Sequence, residues 1–431
     1  KRMKNEPAKP LLFFDWRLDF PEIFNSEFNP NPGFNLVIAN PPYIDSETMV
    51  GLGHENIRNY LTAKMPFCKG NWDIYIAFFN LGYILLNEFG ILSFITPDKW
   101  LSKPFGYELR SKLLLNFKLI AEAGRKIFQN AKVDSIISFI TKKESKFLQI
   151  HKFKNSSSIF FTKVDKSILN DSFTLDWLFS ENLSIINKID KFQHRLSDIG
   201  FCENACSTSD AYKLKPFIKN LSFDPRYHLK VINTGTIGRY INRWGDREMT
   251  YLDNKYLYPV VDKTDFLKEF SNSYGRKAVL PKIIIKGLTL LHGCVDLNGQ
   301  IIPGKSTLII TKELSKIDEL YFLLALINSN ITIYYIREKY RGASYNQGIN
   351  FKPEMLNYLP IPFFSTYFYN RIISLVKDLL ILCKGKKEVL QLELEINTLF
   401  YRSYNFDFND VKELDPNFPL TEEEYLNYKI E

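Results

Sequence analysis

Residues 34–43 read Phe34-Asn35-Leu36-Val37-Ile38-Ala39-Asn40-Pro41-Pro42-Tyr43, and the fold turns on them. A short apolar run carrying β-branched residues predicts a buried parallel strand over 34–39. Pro41 and Pro42 lack a backbone N–H and fix φ, so the strand must stop there. Beyond the strand, a polar amide (Asn40), a carbonyl of fixed direction (Pro41) and an aromatic ring (Tyr43) sit on a stiff turn. In open α/β sheets, ligands bind at the carboxyl ends of strands. The turn therefore has the parts to hold a planar, amine-bearing ring.

Upstream of the strand, residues 11–24 form an apolar lead-in, closed by the Asn/Pro-rich loop 25–33. Residues 44–70, polar and irregular with Gly51 and Gly53, predict a mobile loop over the site. Apolar residues at helical spacing over 71–89 predict a helix, with Gly90 as its cap. Strands are expected at 91–96 (stopped by Pro97), 118–122 and 133–141, with a helix over 104–117. This alternation predicts an α/β sheet. The rhythm then changes: 151–195 reads as a mixed connection. Short strands come next over 231–241, 278–291 and 301–310, with helices at 317–328, at 366–383 and from 390 onward.

The 431 residues suffice for two or three domains, and 45% hydrophobic with 15% aromatic content excludes a disordered chain. A net charge of +8 favours a polyanionic partner, weakly. Five scattered cysteines argue for a reducing, cytoplasmic setting and against a disulfide framework; Cys202 and Cys206 are spaced like half a zinc site, but no second pair follows. The five histidines show no ligand spacing, and no apolar stretch is long enough to span a membrane.

Asn40-Pro41-Pro42-Tyr43 after its apolar strand resembles the catalytic motif of adenine-N6 DNA methyltransferases, more narrowly the TaqI-like and type IIG restriction-modification branch. Methylases of other planar nitrogens, such as those of release factors, share the tetrapeptide. The second half is similar to the same family through Leu196 to Tyr212, Asn233 to Tyr240 with Trp244, Pro281 to Lys286, Leu324 to Ser329 and Tyr358 to Pro362. The ending at Glu395 to Tyr404 also resembles it, although a Leu-Tyr-Gly-Leu-like step is replaced by Ser403-Tyr404-Asn405-Phe406. The resemblance implies an α/β fold class: the second half of a Rossmann-like methyltransferase sheet (1–165), a connection (166–194) and an α+β target-recognition domain (195–431).

It also implies S-adenosyl-L-methionine as methyl donor and double-stranded DNA as partner. Asn40 and Pro41 would accept hydrogen bonds from the target amine, and positioning with electrostatics would supply catalysis. Tyr43 would stack on a flipped base, with Phe128 in Lys126-Ile127-Phe128-Gln129-Asn130 as the second ring. Asp15 and Asn40 are the cofactor candidates, with pairing of Asp15 to Arg17 as the alternative. The family's glycine-bearing cofactor loop has no counterpart here and is expected N-terminal to Lys1, because Gly51-Leu52-Gly53 follows the catalytic turn rather than a strand. A separate N-terminal methyltransferase or nuclease segment is thus a further expected partner. The alternatives are a DNA-recognition module without activity of its own, and a methylase of protein or RNA. For DNA contact the candidates are Arg239, Arg243, Lys282, Lys286, Lys305, Arg341 and Lys352 on phosphates, with Asn346 and Gln347 on base edges.

Overall fold

The strand expected after the Asn/Pro-rich loop forms as Phe34–Ala39 (β1) and ends at the proline pair. In this computed structural model, which describes residues 14–124, 134–154, 157–169, 174–341, 344–345, 348–382 and 387–428, β1 lies parallel to Leu86–Pro97 (β2), Leu36 opposite Ile91 and Ala39 opposite Phe94. The sheet continues through Phe117–Gly124 (β3), Ser135–Thr141 (β4), Phe147–Lys154 (β5) and Ser157–Asp165 (β6), in the order β1-β2-β4-β3-β5-β6. β4 is antiparallel to both β2 and β3, β5 is parallel to β3, and β6 is antiparallel to β5. Hence β1, β2, β3 and β5 point one way, and their carboxyl ends share one edge.

Four details differ from the sequence reading. Helix Tyr75–Leu85 passes directly into β2, so Gly90 is no cap. It sits inside the strand, where a Cβ would come within 2.6 Å of the Phe34 carbonyl oxygen, and the close approach of β1 requires glycine there. Residues 44–70 carry two helices, Ser46–Gly51 and Glu55–Lys64. The β5–β6 hairpin extends the sheet through the stretch read as a connection. Finally, β1 is not buried: Leu36 is 55% and Ile38 70% exposed, and among the described residues its only strand neighbour is β2.

Aromatic packing makes the core beneath the sheet. Trp100 stacks on Phe117 at 5.3 Å, and Phe79 meets both Phe94 (5.2 Å) and Trp100 (5.7 Å). Each such ring taken fully out of water contributes about 2–3 kcal/mol.

The chain divides into two compact units after Ser180. The second holds two four-stranded sheets. In one, Lys282–Lys286 lies between Gly293–Asp296 and Thr307–Thr311, with Glu203–Asn204 at the edge. In the other, His228–Ile232 lies between Ile301–Pro303 and Pro259–Asp262, with Lys219–Asn220 beyond. Helix Ile317–Asn328 docks on the first sheet through Asn328, whose side chain accepts from the Gly293 N–H (2.9 Å) and donates to its carbonyl (3.0 Å). Ser329 then caps helix Asn330–Lys339. Helices Thr366–Ile381 and Lys387–Ser403 complete this unit's helical layer, and the Tyr404 hydroxyl donates to the Pro360 carbonyl at 2.8 Å. Several motifs quoted from the second half thus meet in space.

Candidate active site and cationic face

Because β1 stops at the prolines, Asn40 emerges at the carboxyl edge of the sheet. Its side chain is exposed and has no hydrogen-bond partner among the described residues, while Pro41 is buried and anchors the turn. Tyr43 is half-buried; its hydroxyl donates to the Ile95 carbonyl of β2 (3.3 Å) and lies against the Ser135 side chain, and burial raises its pKa. The Ile74 N–H donates to the Ile44 carbonyl at 2.9 Å, tying the turn to the start of helix Tyr75–Leu85. Three strand ends therefore fix the turn.

Of the two helices between the turn and Asp73, Glu55–Lys64 packs over Trp72. Arg58 donates to the Trp72 and Gly70 carbonyls (2.9 and 2.7 Å) and lies 4.6 Å over the indole ring, whose N–H donates to Thr62. The same edge is acidic. Burial raises the Asp73 carboxyl, 3.7 Å from the Lys99 ammonium, above the usual carboxylate value. Asp98 is pushed up to about 6, first by burial and then by Asp134, Asp176 and Glu122. Sequence reading missed these two carboxyls; the Pro97-Asp98 step directly after a strand was the available signal.

Phe128 lies outside the described residues, between Gly124 and Ser135, which pair with each other at this edge. Asp15 is elsewhere. Its carboxylate caps helix Trp16–Asp19 by accepting from the Arg17 and Leu18 N–H groups (2.9 and 3.1 Å). Trp16 packs on Phe34, the first residue of β1 (5.8 Å). At strand rise, that end of β1 is about 20 Å from Asn40. The two cofactor candidates are not brought together.

In the second unit, Lys282 is corrected outright. It is fully buried, and its ammonium donates to Asp296 Oδ2 (2.6 Å) and to the Ala278 and Leu280 carbonyls (2.6 and 3.1 Å). All three donors are used inside the fold, so Lys282 is no DNA contact. Arg239 donates to Asn330 (3.0 Å) and pairs with Glu393 (3.5 Å), which neutralises it. Arg243 is exposed, Lys286 half-buried, and both lie close to His292, whose pKa falls to about 4 through burial and then through Arg239, Lys286 and Arg243. Lys305 and Lys352 are exposed and come near Lys286 along the backbone: Gly287 N–H donates to the Ser306 carbonyl (3.0 Å), and Phe351 N–H to that of Gly287 (2.9 Å). Lys305 also edges a cavity of about 560 Å³, lined by Cys206, Asp210, Tyr274 and Lys277 among others. Arg341 is exposed; Asn346 and Gln347 lie outside the described residues.

Residues 1–145 match the family model described as Eco57I restriction-modification methylase. These residues are therefore similar to that methylase family over about a third of the chain. The chain is also similar to "Type II restriction enzyme and methyltransferase RM.Eco57I" of Escherichia coli (26% identical over 162 residues, 37% of this chain and 16% of the relative). A second relative is "Type II methyltransferase M.BanIII" of Aneurinibacillus aneurinilyticus (29% over 177 residues, 39% and 29%). The chain thus spans less than a third of the length of either. Among solved structures it is similar to the type IIL restriction-modification enzyme MmeI in complex with DNA (10% identity, TM-score 0.49, 95% of this chain and 57% of that one). It is also similar to the type IIG restriction endonuclease BpuSI (12%, TM-score 0.33, 90% and 55%). Among the described residues, no single helix is long and apolar enough to cross a membrane.

Proposed function

We propose that this chain is the catalytic and recognition part of a restriction-modification DNA methyltransferase, acting on the N6 amine of an adenine flipped out of duplex DNA. The observation that carries the reading is the exposed Asn40 amide, without a hydrogen-bond partner among the described residues, beside the half-buried Tyr43 ring at the carboxyl edge, within a segment that matches the Eco57I methylase model. The order β1-β2-β4-β3, with one antiparallel strand inserted, supports the half-sheet of a Rossmann-like methyltransferase.

The adenine amine is a poor nucleophile because its lone pair is delocalised into the ring. The Asn40 side-chain carbonyl and the Pro41 backbone carbonyl, held at a strand end, would accept its two protons and draw the nitrogen toward a tetrahedral geometry. Positioning of this kind, rather than a strong base, would carry the rate. Tyr43 would offset the cost of unstacking, with its hydroxyl held by Ile95 so that the ring face stays in place. S-adenosylmethionine, when bound, supplies an electrophilic methyl group on a sulfonium. Of the residues present, Asn40 is open to such a donor and Asp98 stands at the same edge, whereas Asp73 is buried and already faces the Lys99 ammonium. Asp15, at the far end of β1, has no part in this proposal.

Tyr43→Phe against Tyr43→Ala tests the reading. Phe keeps the ring and is expected within a few-fold of wild type in methyl transfer. Ala loses stacking of roughly 1–3 kcal/mol, which is about 5- to 150-fold. Equal loss in both variants would mean that the hydroxyl acts and the ring does not, contrary to the proposed role.

A further inference from the structure

Arg243 and Arg247 both act electrostatically on Lys286, at the neck of the loop 286–292, and the backbone ties their segment to the residue that follows this loop. Lys286 N–H donates to the His292 carbonyl at 2.8 Å, closing the loop. The two arginines belong to the segment 233–247, which the backbone holds in place. Arg243 N–H donates to Thr236 (2.8 Å), Arg247 N–H to Arg243 (3.0 Å) and Gly245 N–H to Leu257 (3.1 Å). Tyr240 N–H donates to Gly293 (2.9 Å), next in sequence to His292. The Arg243 guanidinium folds back over Gly238, where a Cβ would lie 3.2 Å from its Nε.

Arg239 nearby is neutralised by Glu393, but among the described residues no carboxylate pairs with Arg243, Arg247 or Lys286. Burial and the two arginines lower the Lys286 pKa, so the three charges work against one another. Like charges held together without a counter-ion destabilise the fold and favour an anion. At the tip of the same loop, Thr289 has φ +72, a strained conformation for a β-branched residue, and Leu290 is 56% exposed. An apolar tip beside a cation cluster fits a polymer with a charged backbone and an apolar interior better than a small free anion; proteins that kink duplexes press apolar side chains between bases in this way.

We propose that Arg243, Arg247 and Lys286 clamp a backbone phosphate of duplex DNA and thereby seat Leu290 against the base step beside it. The inference rests on the reading that the chain acts on DNA, and it adds Arg247 and Leu290 to the contact surface.

The test is duplex binding by residues 1–431, followed by fluorescence anisotropy at several salt concentrations. Arg243→Gln, Arg247→Gln and Lys286→Gln should each weaken binding about 3- to 10-fold on every sequence and lower the log–log salt slope by about 1. Because one phosphate is shared, the Arg243→Gln/Lys286→Gln double variant should lose less than the product of the singles. Arg243→Lys, which keeps the charge, should restore the slope. Leu290→Ser should weaken binding with the slope unchanged. Lys255→Gln, an exposed cation paired with Glu248, serves as the control and should change neither. Wild-type affinity and slope in all three clamp variants would overturn the clamp while leaving the DNA reading intact. Displacement of the duplex by millimolar inorganic phosphate, through the clamp residues alone, would reduce the site to a small-anion site. No duplex binding by the wild-type chain at any salt would overturn the DNA reading and the clamp with it.

Discussion

Lys282 and Lys286 stand at the two ends of one five-residue strand and do opposite work. Both lie on the same face by strand alternation, so sequence gives them equal standing. Depth separates them: Lys282 is inside, opposite Asp296 in the hairpin, and Lys286 is at the open end. That depth depends on the register with a strand fourteen residues away, which a single sequence does not display. Lys282→Ala leaves a buried carboxylate without its partner and is expected to cost about 3–5 kcal/mol in denaturant unfolding of the second unit. Lys286→Gln, at a half-buried end, should cost no more than about 0.5 kcal/mol. If the two variants lost equal stability, Lys282 would not be the internal ion pair described above. The place of Asn40, Pro41 and Tyr43 at a strand end was legible because prolines dictate where a strand ends whatever surrounds it. Asp73 and Asp98 were not, because their raised pKa values come from neighbours on other elements.

Among elements, those with a strong local signal matched: the helix expected at 317–328 forms as Ile317–Asn328, and β4 and β3 lie where periodicity put them. The β5–β6 hairpin escaped notice because Gln149, His151 and Lys152 dilute its apolar run, although Leu148 and Ile150 are fully buried. β1 was legible as a strand but not as an edge. Its apolar outer side, with Leu36 and Ile38 exposed, is a template for further strand pairing. Residues 1–431 are therefore expected to self-associate at micromolar concentration, and Ile38→Lys should reduce that association in sedimentation velocity without lowering the unfolding midpoint. Undiminished association would locate the sticky surface elsewhere. The loop 286–292 makes a second prediction. His292 ionises near pH 4 in the folded chain against 6.5 ordinarily. The unfolded chain therefore binds more protons between those values. Stability of the second unit should fall as pH drops from about 6.5 to about 4 and level off below, and His292→Gln should flatten that part of the curve in pH-dependent unfolding.

Across the whole chain, the order of elements in the first unit was legible because strand and helix signals alternate cleanly, while the pairing within the second unit was not. Its strands are two to five residues long, and side-chain bridges such as Asn328 to Gly293 and Tyr404 to Pro360 join segments far apart in sequence. Function in the proposed reading comes down to one act: the Asn40–Tyr43 turn directs a methyl group to adenine N6 in DNA. The decisive experiment incubates the natural gene product carrying residues 1–431 with duplex DNA and isotope-labelled S-adenosylmethionine, then identifies the labelled nucleosides by mass spectrometry. Labelled N6-methyladenine is expected from the wild type. Asn40→Ala should make about 100-fold less or lower, with duplex affinity within a few-fold. Label in protein or RNA instead of DNA, or N6-methyladenine undiminished by Asn40→Ala, would refute the assigned role of the turn.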